Sequence, residues 1–218
     1  MIRLLFLFFC VSGVWAQQID ADLLAVKSRM DTVEGFTVDL QLDVDISFIN
    51  MPTKYATMIY EKGKPTKFDS KDFVMLPKRG LDFSLQQLFE YPFITVDRGQ
   101  EERDGALYKS VNIIPTDKRA DFAIATVLID THLERIVETE ISTKKNGTYI
   151  VVFYYKEPTE ILPQQVAVNF EIERIKIPLN YMGKGTTVNK DQMKADGVKT
   201  GKIVLTMSNY SIKSNLAK

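Results

Sequence analysis

Between residues 36 and 48 the chain alternates without interruption. Phe36, Val38, Leu40, Leu42, Val44, Ile46 and Phe48 take one set of positions, and Thr37, Asp39, Gln41, Asp43, Asp45 and Ser47 take the other. A period of two puts the first set on one face of a β-strand and the second on the opposite face, so the segment is a long strand with one wet side. Strands of this length belong to strongly curved sheets or barrels rather than to short sandwiches.

More strand-like runs follow at short intervals. Residues 54–61 form one, closed by the turn signal Lys62-Gly63-Lys64-Pro65. Residues 68–76, 106–114, 122–129, 135–143, 149–155, 165–172 and 202–212 read as others. Asn146-Gly147 marks a hairpin turn. Hairpin connections predict an antiparallel sheet. Two helices are expected. Residues 22–33 carry Leu23, Val26 and Met30 on one stripe, with Asp20 as N-cap and Gly35 as stop. Residues 84–91 carry Leu85, Leu88 and Phe89, with Ser84 as N-cap. Residues 180–201, rich in Gly, Lys and Thr, read as a long mobile loop.

The first sixteen residues have the build of a secretory leader: a positive start at Arg3, an apolar run over residues 4–11, and Val14-Trp15-Ala16 before a cleavage point at Gln17. Cys10, the single cysteine, lies inside that run behind Phe9, where a lipid-modification site would want a small residue. Cleavage after Ala16 leaves an exported chain, residues 17–218, without thiol or disulfide. It is long enough for one domain, and no linker divides it. The 28 basic and 28 acidic residues balance, which gives no support to nucleic-acid binding.

Catalytic material is sparse. His132 is the only histidine, at an expected turn between Asp130 and Glu134. It reads as an exposed turn residue before it reads as a general base. One histidine without cysteine cannot build an ordinary zinc site, and no acidic loop has calcium-binding spacing. No nucleophile elbow, phosphate loop or dinucleotide fingerprint occurs. The acids on the 36–48 strand read as a solvated face. The Asn-x-Thr/Ser patterns at Asn146 and Asn209 matter only in a eukaryotic secretory pathway. No cofactor or metal is expected. What remains is apolar surface: a curved sheet covered by short helices can enclose an apolar cavity, although on pattern alone a filled core is the simpler outcome.

Several stretches resemble the LolA-type periplasmic lipoprotein carriers and the related lipoprotein-sorting proteins. Leu24-Ala-Val-Lys-Ser-Arg-Met-Asp-Thr-Val-Glu-Gly-Phe36 is similar to their opening helix running into a long first strand. Tyr60-Glu-Lys-Gly-Lys-Pro-Thr-Lys-Phe68 is similar to their second hairpin. Val111-Asn-Ile-Ile-Pro-Thr-Asp117, Ala125-Thr-Val-Leu-Ile-Asp130, residues 136–142 and Ile161-Leu-Pro163 follow the order of their later meander. The resemblance covers residues 20–172 and leaves 173–218 as a C-terminal extension without a counterpart.

The resemblance implies a mainly β fold: a strongly curved antiparallel half-barrel covered by a short helical lid, with an apolar cavity for acyl chains. On that basis Phe36, Leu40, Val44, Tyr60, Phe68, Leu88, Phe89 and Phe93 are expected to line the cavity. Lys64 stands where the family has a lid-latching arginine, and lysine lacks the planar bidentate contacts of that residue. The implied protein is a monomeric periplasmic carrier without enzymatic activity. It would bind acylated lipoproteins or lipids and pass them from an inner-membrane donor to an outer-membrane acceptor. A lipid or lipoprotein sensor using the same cavity, and a secreted enzyme of unrecognised type, are the alternatives.

Overall fold

The computed structural model describes residues 19–71, 88–145, 147–172 and 184–214. The leader, most of the expected 84–91 helix and the distal part of the expected 68–76 strand lie outside the described residues. In chain order the elements are α1 (Ala21–Met30), β1 (Val33–Asp45), β2 (Ile49–Asn50), β3 (Lys54–Glu61), β4 (Lys67–Asp69), β5 (Phe93–Arg103), β6 (Ala106–Pro115), β7 (Phe122–Asp130), β8 (Arg135–Thr143), β9 (Thr148–Tyr154), β10 (Gln165–Ile172), β11 (Thr187–Val188), α2 (Lys190–Lys194) and β12 (Lys199–Ser214).

Ten strands form one sheet in the order β4-β3-β1-β12-β10-β9-β8-β7-β6-β5, and every neighbouring pair is antiparallel. β11 and β2 make a separate two-stranded ladder. The sheet does not close, because β4 and β5 are both edges. From β5 to β10 the order is a plain meander. β12 then inserts between β10 and β1, so the tail of the chain joins the two halves of the sheet.

One apolar row runs across the inner face through directly paired residues: Val44, Ile203, Val168, Val151, Thr139, Val127 and Val111. Val168, Val151, Val127 and Val111 are buried in the main core, together with Leu23 and Val26 of α1. The burial alternation of β1 is the physical consequence of its sequence pattern, with Val38, Leu40 and Leu42 inside and Asp39 exposed.

Several elements depart from the sequence expectation. β1 begins at Val33 and ends at Asp45 rather than running over residues 36–48. Beyond it the chain reverses through an Ile46–Ile49 bridge, and Ile46, Phe48, Ile49 and Phe170 build a second small core. α1 stops at Met30, and Gly35 is no helix cap but part of β1. There a Cβ would stand 2.8 Å from the Tyr60 carbonyl oxygen, which is why the position takes glycine. Strand β5 has no counterpart in the expected elements. Its second half, Asp97-Arg-Gly-Gln-Glu-Glu-Arg103, is almost wholly polar because it is a solvated edge. Residues 184–201 are not one long loop: they hold β11, α2 and the start of β12.

Candidate functional site

Helix α1 lies on the inner face. Asp20 caps it by accepting from the backbone N–H groups of Asp22 and Leu23 at 3.0 and 3.1 Å. Leu23 and Val26 are its buried residues, 0% and 1% exposed. At its N-terminal end the Asp20 N–H donates to Thr95 Oγ1 of β5 at 2.8 Å. Lys109 of β6 pairs there with Asp20 at 2.7 Å and Asp22 at 2.6 Å. Partial burial depresses the Lys109 ammonium, but its hydrogen bonds to Asp20 and Asp22 outweigh that and hold it above the ordinary lysine value. At the C-terminal end Lys62, in the turn after β3, donates to the Asp31 carbonyl at 2.7 Å, where a cation complements the helix dipole. Arg29 donates to the carbonyls of Leu133, Thr159 and Glu160.

These fastenings fix the shape of the sheet. β3 and β5 are eight strand spacings apart in the sheet order, which in a flat sheet would be about 38 Å. The helix that ties one to the other spans about 16 Å from Asp20 to Asp31. The sheet must therefore curl around it into a half-barrel.

The residues expected to line the cavity, apart from Tyr60, belong to or pack on the main core, and with Tyr60, which joins through Phe36, most of them form two groups. In the first, Phe36 stacks on Tyr60 with ring centroids 5.1 Å apart. Leu40 is paired with Ala56 and Met207, and Phe68 with Met58. In the second, Phe89 and Phe93 lie 5.7 Å apart beside the buried Leu88, which sits with Phe89 in a 3₁₀ turn. Val44 bridges the main and the second core. Leu40 and Leu88 are buried. Phe36, Val44, Tyr60, Phe68, Phe89 and Phe93 are half-buried.

Lys64 does not reach the helix. It is exposed and pairs with Glu61 within its own turn. The cations that hold α1 are Arg29, Lys62 and Lys109. Sequence reading also missed Met58 and Tyr210 on the same aromatic group. Met58 stands at an alternating position of the 54–61 strand, which was a readable signal. Tyr210 lies in β12, beyond residues 20–172 where the sequence resemblance was read, and its ring is 5.7 Å from Phe36.

Among the described residues, the only histidine stands apart from the inner face. His132 is exposed in the β7–β8 turn, and the Asp130 carboxylate accepts from the Leu133 N–H instead. Among the described residues no group of three or more His, Cys, Asp or Glu is placed to hold a metal. No helix among them is long and apolar enough to cross a membrane. A small cleft opens between α1 and the β7–β8 turn, lined by Val26, Arg29, Arg135 and Tyr155 among others. Arg135 lies over the Tyr155 ring there, 4.5 Å from its centre.

Comparison with solved structures places the fold. A domain assigned to outer-membrane lipoprotein sorting, from Vibrio parahaemolyticus, superposes with a TM-score of 0.52 at 13% identity, over 90% of this chain and 94% of that one. A LolA superfamily protein from Nitrosomonas europaea gives 0.47 at 9% identity, over 88% and 94%. A DUF1329 family protein from Desulfovibrio piger gives 0.49 at 9%, over 91% and 93%. No family model matches the chain, and no curated protein matches it in sequence. The first superposition carries the conclusion: this chain shares the fold of that Vibrio domain, a curved open antiparallel sheet embracing a helix.

Proposed function

We propose that this protein is an exported carrier that holds acyl chains against the inner face of its sheet. The leader would direct it to the periplasm and be removed before Gln17. Acylated lipoproteins would be its cargo, received from an inner-membrane donor and released to an outer-membrane acceptor. No bond is made or broken. Release follows from differences in affinity along the route, with α1 shifting on the sheet as the cargo enters.

The observation that supports this reading is the mismatch between sheet and helix. Ten strands curl around a ten-residue helix, the only one of the described residues that buries apolar side chains. Half-buried Phe36, Met58, Tyr60, Phe68, Phe89 and Phe93 remain at the two sides of the helix. Covering such a surface with hydrocarbon is favourable by roughly 0.8 kcal/mol per methylene. That is sufficient for tight yet reversible binding of one or two chains.

Native mass spectrometry of the chain from Gln17 onward, mixed with a triacylated lipopeptide, tests the proposal. The expected result is a one-to-one complex, lost when Phe68→Glu places a charge on the inner face. Absence of any complex with folded wild type would overturn it.

A further inference from the structure

Lys54, the first residue of β3, is paired directly with Leu42 of β1 and therefore shares the inner face with Leu42, Ala56 and Met58. It is 3% exposed, the most buried charged residue among those described. Its ammonium donates to the backbone carbonyl of Lys184, just before β11. No carboxylate among the described residues pairs with it. The acid next to its strand partner Leu42, Asp43, belongs to the opposite face of β1, where its carboxylate accepts from Gln41 and Thr53.

A buried ammonium without a counter-ion is costly, because a single carbonyl does not replace its hydration. Methionine or leucine would fill the same space without that cost. As a clip for the Lys184 carbonyl, a neutral donor would serve equally well. The charge itself thus has no partner within the described structure. An anion brought by a ligand would supply one, in a low-dielectric setting where the contact is strong.

Apolar side chains lead away from this ammonium in two directions. Across the sheet run Leu42, Leu205, Val166 and Phe153. Along β3 the inner face passes through Met58 to Tyr60, about 20 Å from Lys54 at ~3.4 Å per residue. An anionic head at Lys54 would leave its tail on this surface.

We propose that Lys54 is a headgroup anchor: it pairs with the carboxylate or phosphate monoester of an acidic single-chain amphiphile whose hydrocarbon lies along the inner face. The ligand's anion takes the place of the Lys184 carbonyl. This rests on the reading of the inner face as an acyl-chain site and narrows the ligand class that the site prefers.

The test titrates sodium laurate, dodecyl phosphate and uncharged methyl laurate into wild type, Lys54→Met and Lys54→Arg, with complexes counted by native mass spectrometry. Acetate and inorganic phosphate serve as competitors without a chain. Wild type and Lys54→Arg are expected to bind at least one of the acids about tenfold or more tighter than the ester. Lys54→Met should bind acids and ester alike, at the wild-type affinity for the ester, with a melting temperature equal to or above wild type. Equal binding of acids and ester by wild type would overturn the anchor, as would a preference that survives Lys54→Met. A lowered melting temperature or failure to fold in Lys54→Met would make the residue a structural clip. Competition by acetate or phosphate as effective as that of the acids would make this a plain anion site. If ester and lipopeptide bind without any acid preference, only the anchor falls. If no amphiphile binds, the carrier reading falls with it.

Discussion

Tyr210 packs edge-on against Phe36, ring centroids 5.7 Å apart at 66°, because β12 carries one extra residue opposite Val38. Thr37 pairs with Ser211 and Asp39 with Ser208, so Asn209 and Tyr210 together face one residue of β1. This is a β-bulge, and it swings the rest of the strand to the other face. Asn209 adopts φ +56°, a conformation asparagine tolerates better than most residues, and its side chain donates to Asp39 outside. Tyr210 then points inward, where its hydroxyl donates to the Pro163 carbonyl at 2.8 Å.

Asn209→Val tests the bulge. A β-branched residue at positive φ costs about 1–2 kcal/mol. Urea unfolding should show that loss, while Asn209→Gly should stay within about 1 kcal/mol of wild type. If the two variants unfold alike, the bulge is not what holds Tyr210 on Phe36.

Arg29 is the broadest tie between α1 and the sheet, reaching three carbonyls in two loops. Hydrogen bonds from a charged donor are worth about 1.5–3 kcal/mol, less at a half-exposed site. Arg29→Ala should destabilise the protein by about 2 kcal/mol and speed amide exchange throughout α1. Arg29→Lys should recover only part of this, because one ammonium cannot span three carbonyls. Unchanged exchange in α1 would show that Leu23 and Val26 alone hold the helix.

Thr139 sits in the middle of the inner apolar row between Val127 and Val151, 1% exposed, and its hydroxyl has no hydrogen-bond partner among the described residues. An unsatisfied buried hydroxyl costs about 1–3 kcal/mol. Thr139→Val keeps the shape and should raise stability by about 1 kcal/mol in denaturant titration.

Alkaline pH should loosen the fold through two tyrosines. Burial pushes Tyr155 up to about 12 and Tyr210 further still, from an ordinary value of 10.0. A phenol whose folded pKa is raised contributes stability that is complete below pH 10 and lost as pH rises through the folded value. Tyrosinate absorbance should therefore show Tyr155 and Tyr210 among the late-titrating groups. Tyr155→Phe should remove one of them, together with the hydroxyl's bond to the Ile136 carbonyl and about 1 kcal/mol.

The strand pattern was legible where one face is wet and the other packed. β3 and β8 match their expected bounds residue for residue, and β1 is offset by three at each end. The offset at the far end arises because Ile46 and Phe48 continue the apolar alternation while packing in a separate core with Phe170. β5 was illegible because the solvated second half of this edge strand has no apolar period, and its Arg98-Gly99 bulge breaks the register besides. The half-buried placement of Phe36, Tyr60 and Phe68 was legible because they alternate or lie on the hairpin that the sequence resemblance covers. Tyr210 was not, because the bulge reverses its side. Lys54 reads in sequence as an ordinary strand-end lysine, since its burial depends on Lys184, 130 residues away. The hold of Arg29 on the loops was illegible for a similar reason: only the folded chain brings Leu133 and Thr159 to the helix.

Photocrosslinking tests the central claim most directly. A triacylated lipopeptide with a diazirine at the end of one acyl chain is mixed with the protein and irradiated, and the labelled peptides are mapped by mass spectrometry. Inner-face binding predicts labels among Phe36, Leu40, Met58, Tyr60 and Phe68, or at Phe89 and Phe93 beyond the helix. Labels confined to the outer-face residues Asp39, Tyr55, Thr57 and Asn209, or no specific labelling at all, would contradict it.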